Sequence, residues 1–135
     1  MQVSSAERRN AGVLDTQAAF VRLFAPGFTG SLTERFQVAH LDARRRLLHH
    51  HRGEPGTRDC APVPMRQIGY DAILSGTACW VVAHNHPSGD PQPSRADLAI
   101  TRRLVDMARA IDIVLLDHLI FAGDRIFSFR EAGIL

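Results

Sequence analysis

The chain has 135 residues with a formal net charge of +2, and its 45% hydrophobic and 22% charged residues exclude an extended disordered polymer. The near balance of charge gives no general electrostatic case for a nucleic-acid partner, and no apolar run approaches the ~20 residues of a membrane span. Cys60 and Cys79 have neither metal nor disulfide spacing; with no apolar leader behind the first charges, the chain reads as a protein of the reducing cytoplasm.

Residues 1–15 are polar and read as a loose segment ahead of one domain over residues 16–135. Ala19, Phe20, Leu23 and Phe24 share one helical face, with Asp15 as a reasonable N-cap, and Pro26, Gly27 and Gly30 end that helix. Phe36–Leu41 reads as a strand and Arg46–His50 as its hairpin partner. The basic run Arg44-Arg45-Arg46 and the triplet His49-His50-His51 read as a solvated turn between them, or as a patch for an acidic partner. Three successive strand residues point to alternate faces, so the triplet cannot bind one metal together.

Arg66–Leu74 carries Ile68, Ala72 and Ile73 at helical spacing, and Gly76 supplies its stop. Ala78–Ala83 is apolar throughout, as a central strand covered on both faces would be. Ser94–Ala110 reads as the best helix, with Leu98, Thr101, Leu104, Val105 and Ala108 on its apolar side. Ile111–Phe121 reads as a further buried strand, returning after Gly123-Asp124 as Ile126–Phe129. Helix, hairpin, helix, strand, helix and hairpin in that order predict an α/β fold of mixed type, with helices against a mixed central sheet.

One constellation carries chemistry. His84 and His86 stand two apart at the end of the central strand, so both rings leave one face. Neutral imidazoles so placed suit zinc, and strand ends are where sites form in open α/β sheets. Asp97 lies in the first turn of the following helix, where Ser94 and Asp97 also make a capping box. The two roles are compatible. Two His and one Asp leave a fourth position open, the mark of a catalytic zinc rather than a structural one.

His84-Asn85-His86-Pro87-Ser88-Gly89-Asp90-Pro91, followed by Pro93-Ser94-Arg95-Ala96-Asp97, resembles the H-x-H, seven residues, S-x-x-D signature of the JAB/MPN (JAMM) metalloprotease superfamily. The nearest branch is the RadC-like family. The likeness runs on through Thr101-Arg102-Arg103-Leu104 and Leu116-Asp117-His118-Leu119-Ile120 to Phe127-Ser128-Phe129-Arg130-Glu131-Ala132-Gly133-Ile134-Leu135. It begins near Glu34 and covers roughly three quarters of the chain. The resemblance implies a three-layer, cytidine-deaminase-like architecture and one Zn2+ per chain on His84, His86 and Asp97. It also implies Glu34 as general base and Ser94 as oxyanion donor, acting on a peptide or isopeptide bond of a protein substrate.

The rival readings are a non-catalytic scaffold on the same fold and a DNA-repair or anti-restriction accessory, with direct nucleic-acid binding disfavoured by the composition. His51 stands where many RadC-like members have a glutamate, and Pro64-Met65-Arg66-Gln67 replaces a usual H-P-R-E. Full-length members usually carry an N-terminal helix-hairpin-helix region, and none is expected within these 135 residues. His118 reads as a hydrogen-bonded core residue or one that orients a metal ligand. Trp80 reads as core, and His40 is given no role.

Overall fold

The computed structural model describes residues 3–135. Five strands form one mixed sheet in the order β2-β1-β3-β4-β5. They are β1 (Phe36–Leu41), β2 (Leu47–Arg52), β3 (Cys79–Asn85), β4 (Val114–Ala122) and β5 (Arg125–Ser128). β3 and β4 run parallel, and the other neighbours are antiparallel. The parallel pair needs a crossover, and helix α4 (Arg95–Ala110) supplies it. The predicted mixed sheet flanked by helices is the observed one.

The period-two alternation of strands sorts the core into two layers. One face presents Ala39, Leu41, Val81, Ala83, Leu119 and Phe121 to Phe20 and Phe24 of helix α2 (Gln17–Phe24). The other presents Phe36, Val38, Trp80 and Val82 to Ile68 and Ala72 of helix α3 (Met65–Ser75) and to Leu104 and Ala108 of α4. β3 is buried along its whole length, as its unbroken apolar run requires. Leu104 is fully buried, so its truncation to Ala is worth ~2–5 kcal/mol.

Several boundaries depart from expectation. Thr16, not Asp15, caps α2: its hydroxyl accepts from the Ala19 N–H at 3.1 Å. β4 begins at Val114 rather than Ile111, because the Ile113 N–H still donates to the Ala108 carbonyl (2.7 Å) and Asp112 turns the chain at φ 57°. Part of the segment expected to be loose is helix α1 (Ser5–Ala11), started by a Ser4–Glu7 capping box and tied to β2 by Arg8 donating to the Leu48 carbonyl. Residues 1 and 2 of that segment lie outside the described residues.

The largest departure concerns the histidine triplet. Arg44 is exposed in the turn, but His49 and His50 are buried within β2. Helices cover both faces of this edge strand, so its imidazoles are walled in instead of solvated. No helix among the described residues is long and apolar enough to cross a membrane.

Candidate metal centre

The site forms where β3 ends. His84 lies near the end of the strand and His86 just past it. The His86 N–H donates to the Phe121 carbonyl of β4 at 2.8 Å, which holds the chain in line for one more residue. A tight turn follows, closed by the Gly89 N–H donating to the His86 carbonyl at 3.1 Å. Gly89 sits at φ 86°, a conformation that a side chain would strain. The chain then enters α4, whose first turn swings Asp97 back over the strand end.

Asp97 Oδ1 stands 3.2 Å from His84 Nε2, Asp97 Oδ2 3.1 Å from His86 Nε2, and the two Nε2 atoms 3.0 Å apart. Zinc ligands at ~2.0–2.1 Å in a tetrahedral arrangement stand ~3.3 Å from one another. The three side chains stand close to that spacing, with a different Asp97 oxygen facing each imidazole.

The surrounding hydrogen bonds decide which ring nitrogens carry protons. Thr101 Oγ1 donates its only proton to the Asp97 carbonyl at 2.7 Å. His118 Nδ1, 2.7 Å from Thr101 Oγ1, must therefore be the donor to that hydroxyl, leaving its Nε2 as an acceptor. His84 Nδ1–H fills that acceptor at 2.8 Å, so His84 Nε2 keeps a lone pair. His86 reaches the same state directly, its Nδ1–H donating to the Asp90 carbonyl at 2.7 Å. Two imidazole lone pairs and two carboxylate oxygens thus converge with no donor among them. Such a cluster needs a proton or a cation at its centre. Two neutral histidines and a carboxylate, with their outer nitrogens already bonded, are the donor set of a zinc site.

Charge follows this geometry. With a proton at the centre of the cluster, burial would raise Asp97, but hydrogen bonds from His84 and His86 outweigh it and hold the carboxyl well below its ordinary range. His86 is raised, first by its bond to Asp97, with burial opposing. Burial keeps His118 far below the usual imidazole value, hence neutral.

Glu34 stands just before β1, its Oε1 3.8 Å from His86 Nε2, and is 8% exposed. Burial pushes its carboxyl up to about 7; His86 opposes the shift and Asp97 and Asp59 add to it. The Ser94 hydroxyl accepts from the Asp97 N–H at 3.0 Å, so the capping box forms as predicted. Capping uses a lone pair of that hydroxyl and leaves its proton free to donate elsewhere. Glu34, His84, Ser94, Asp97 and Arg103 line one open cleft of about 310 Å³.

The structure thus brings all five expected residues to one place. It adds Asn85 and Thr101, which have no assigned role in the sequence reading. Asn85 points to the opposite face from His84 and clamps the backbone on either side of Glu34. Its position inside H-x-H was the available signal. Thr101 lies one helical turn after Asp97, on the predicted apolar side of α4.

A five-stranded mixed sheet with helices on both faces and a His-His-Asp set at the end of a central strand defines a mixed α/β domain of JAB/MPN type. The RadC-like JAB domain family matches residues 14–134, and the chain belongs to that family. It is 38% identical over 133 residues to a UPF0758 protein of Xanthomonas axonopodis pv. citri, covering 98% of this chain and 58% of that protein. A UPF0758 protein of Symbiobacterium thermophilum is 37% identical over 135 residues, covering 100% of this chain and 57% of its own length. The UPF0758 protein YkfG of Escherichia coli is 40% identical over 102 residues, covering 76% and 65% respectively. The chain therefore spans under two thirds of the length of these curated relatives.

Proposed function

We propose that this chain is a zinc-dependent hydrolase that cleaves a peptide or isopeptide bond of a protein partner in the cytoplasm. One observation carries the reading: two imidazole lone pairs and a carboxylate converge within 3.2 Å contacts, beside a buried carboxyl raised to about 7. Zinc held by His84, His86 and Asp97 supplies Lewis acidity and lowers the pKa of water toward neutrality. Glu34, charged for about half its population near pH 7, accepts the proton of the attacking water. A nearby cation draws that value lower and increases the charged fraction. As the water oxygen bonds to the carbonyl carbon, the Ser94 hydroxyl donates to the carbonyl oxygen that gains charge. Glu34 then passes its proton to the nitrogen as the carbon–nitrogen bond breaks.

The test is zinc content per chain for protein purified without chelators, in the parent and in His86→Ala and Asp97→Ala. Each variant is expected to hold about one zinc fewer than the parent. Cleavage of peptide or isopeptide substrates is expected to vanish in Glu34→Gln with the zinc retained. Equal zinc in parent and variants would overturn the metal assignment, and unaltered cleavage in Glu34→Gln would remove the general base.

A further inference from the structure

Far from the strand-end centre, the face of the sheet under α3 holds a second group of metal-type side chains. His40 of β1 and His49 of β2 are direct cross-strand partners, so their rings leave the sheet side by side. Their ring centroids lie 5.2 Å apart. α3 packs over this face and contributes Asp71, whose Oδ2 stands 3.3 Å from His49 Nε2. One ligand atom from each of His40, His49 and Asp71 lies within 4.8 Å of the others. His40 pairs across the sheet with Trp80, four residues before His84 on β3, which puts the two groups ~13 Å apart along the strand.

The hydrogen bonding of this group is incomplete where that of the rest of the core is complete. Among the described residues, three buried side-chain nitrogens or oxygens have no hydrogen-bond partner, and they are the Nε2 atoms of His40, His49 and His51. His40 is fully buried and His49 is 6% exposed, so water does not simply replace the missing partners. An orphaned buried polar atom costs ~1–3 kcal/mol. His40 Nε2 has no partner and His49 Nε2 meets only Asp71 Oδ2, at 3.3 Å and outside hydrogen-bond geometry, so the pair faces a carboxylate without being satisfied by it. Burial holds His40 near 3 and lowers His49 and His51 as well, so all three rings are neutral near pH 7 and able to ligate.

We propose that His40, His49 and Asp71 form a second divalent transition-metal site, which ties helix α3 to the outer β1–β2 hairpin. Two imidazoles and one carboxylate suit Zn2+ and its spectroscopic substitute Co2+. Binding has a local consequence. Trp80 Nε1–H donates to His40 Nδ1 at 3.0 Å, which places the His40 proton on Nε2. A metal on Nε2 moves that proton to Nδ1, where Thr77 Oγ1 at 3.2 Å accepts it, and the indole N–H loses its acceptor. Trp80 is the single tryptophan of the chain, so its emission reports on this site and not on the strand-end centre.

The experiment uses the full chain with Asp97→Ala, which disables the strand-end centre, loaded with Zn2+ and freed of excess metal. About one zinc per chain is expected to remain, and Asp71→Asn in that background is expected to remove it. Titration with Co2+ is expected to quench Trp80 saturably, with at least ~10-fold weaker binding in Asp71→Asn and in His49→Gln. Asp71 lies on a partly exposed helix face, so its substitution keeps the fold, with circular dichroism as the check. Should Asp97→Ala fail to fold, the parent is expected to fall from about two zinc to about one on Asp71→Asn. No zinc in the Asp97→Ala chain, or binding that neither Asp71→Asn nor His49→Gln weakens, overturns the proposal. Neither result bears on the strand-end centre, which is read by the zinc lost on His86→Ala.

Discussion

The side chain of Asn85 brackets the backbone of Glu34: its Oδ1 accepts from the Arg35 N–H at 2.7 Å and its Nδ2 donates to the Thr33 carbonyl at 3.0 Å. The amide is buried; it is the partner of the Arg35 N–H, and it shares the Thr33 carbonyl with the Ser31 hydroxyl, which donates to it at 2.8 Å. The Thr57 carbonyl and the Gly56 N–H hold Glu34 itself from the other side, at 2.7 and 2.9 Å. Glu34 precedes β1, so these bonds, not a strand ladder, fix its carboxyl beside His86.

Asn85→Ala therefore leaves the half-buried Arg35 N–H unpaired and the Thr33 carbonyl with Ser31 alone, and should cost ~1–3 kcal/mol of stability. Zinc content should stay at the parental level, because Asn85 touches none of the three ligands. On the proposed hydrolase reading, kcat should fall at least ~10-fold with little change in KM, as for a displaced base. Asn85→Asp keeps the acceptor and loses the donor, so it should fall between the two. Denaturant titration with steady-state kinetics checks this; parental kcat in Asn85→Ala would show that Glu34 needs no clamp.

Thr101 acts on the centre at one remove. Its hydroxyl proton goes to the Asp97 carbonyl, which forces the proton of His118 onto Nδ1 and orients His84 in turn. Thr101→Val keeps the shape of the side chain and removes the hydroxyl. His118 then has no acceptor for Nδ1–H, and the tautomer of His84 is no longer dictated. Zinc affinity at the strand end should drop ~10–100-fold, as for other groups that orient metal ligands. Competition against a chelator of known affinity measures it, and an affinity equal to the parent's would mean that His84 is oriented without this relay.

The sheet was legible in the sequence because the strands are strongly apolar and the turn residues sit where chains must turn. The strand-end site was legible for a related reason: H-x-H at a strand end puts both rings on one face whatever the rest of the fold does. What stayed hidden depends on tertiary partners. Nothing local says that Asn85 reaches back to residues 33 and 35, or that Thr101 meets His118. Ser4 and Glu7 carry the pattern of a helix start, yet seven residues of α1 hold together through contact with β2. The histidine triplet misled because polar letters beside three arginines look solvated. Burial of β2 on both faces came from α2 and α3, which the local pattern does not encode.

Those buried histidines set the acid response of the fold. His50 donates from Nε2 to Gln37 Oε1 at 2.7 Å and packs edge-on against Phe24; burial, aided by Arg52, lowers its pKa to about 3. His40 is lowered to about 3, first by burial and then by His49. An unfolded histidine titrates near ~6.5. Below that value the unfolded chain binds protons that the folded chain refuses, so stability is full above ~6.5 and declines as pH falls toward the folded value. Each such histidine should cost about 2 kcal/mol between pH 7 and pH 5. Urea midpoints at the two pH values check this, and His50→Gln should flatten the slope. A midpoint independent of pH over that range would mean that the imidazoles protonate within the folded state.

Ser94 serves two tasks that one substitution can separate. Its oxygen accepts from the Asp97 N–H at 3.0 Å as the cap of α4, and its own N–H donates to Asp97 Oδ2 at 2.8 Å. Ser94→Gly keeps the backbone N–H that orients Asp97. Glycine is a tolerated N-cap, so the loss of stability should be only a few tenths of a kcal/mol, near ~0.5. Zinc content should be parental. The hydroxyl donor is gone, however, and an oxyanion that loses one donor costs ~10²–10³ in kcat. Ser94→Thr restores both the cap and the donor and should recover most of the activity. Stability, zinc content and cleavage rate, measured together on the two variants, decide the matter. A glycine variant that is stable, loaded and fully active would leave Ser94 as a helix cap alone.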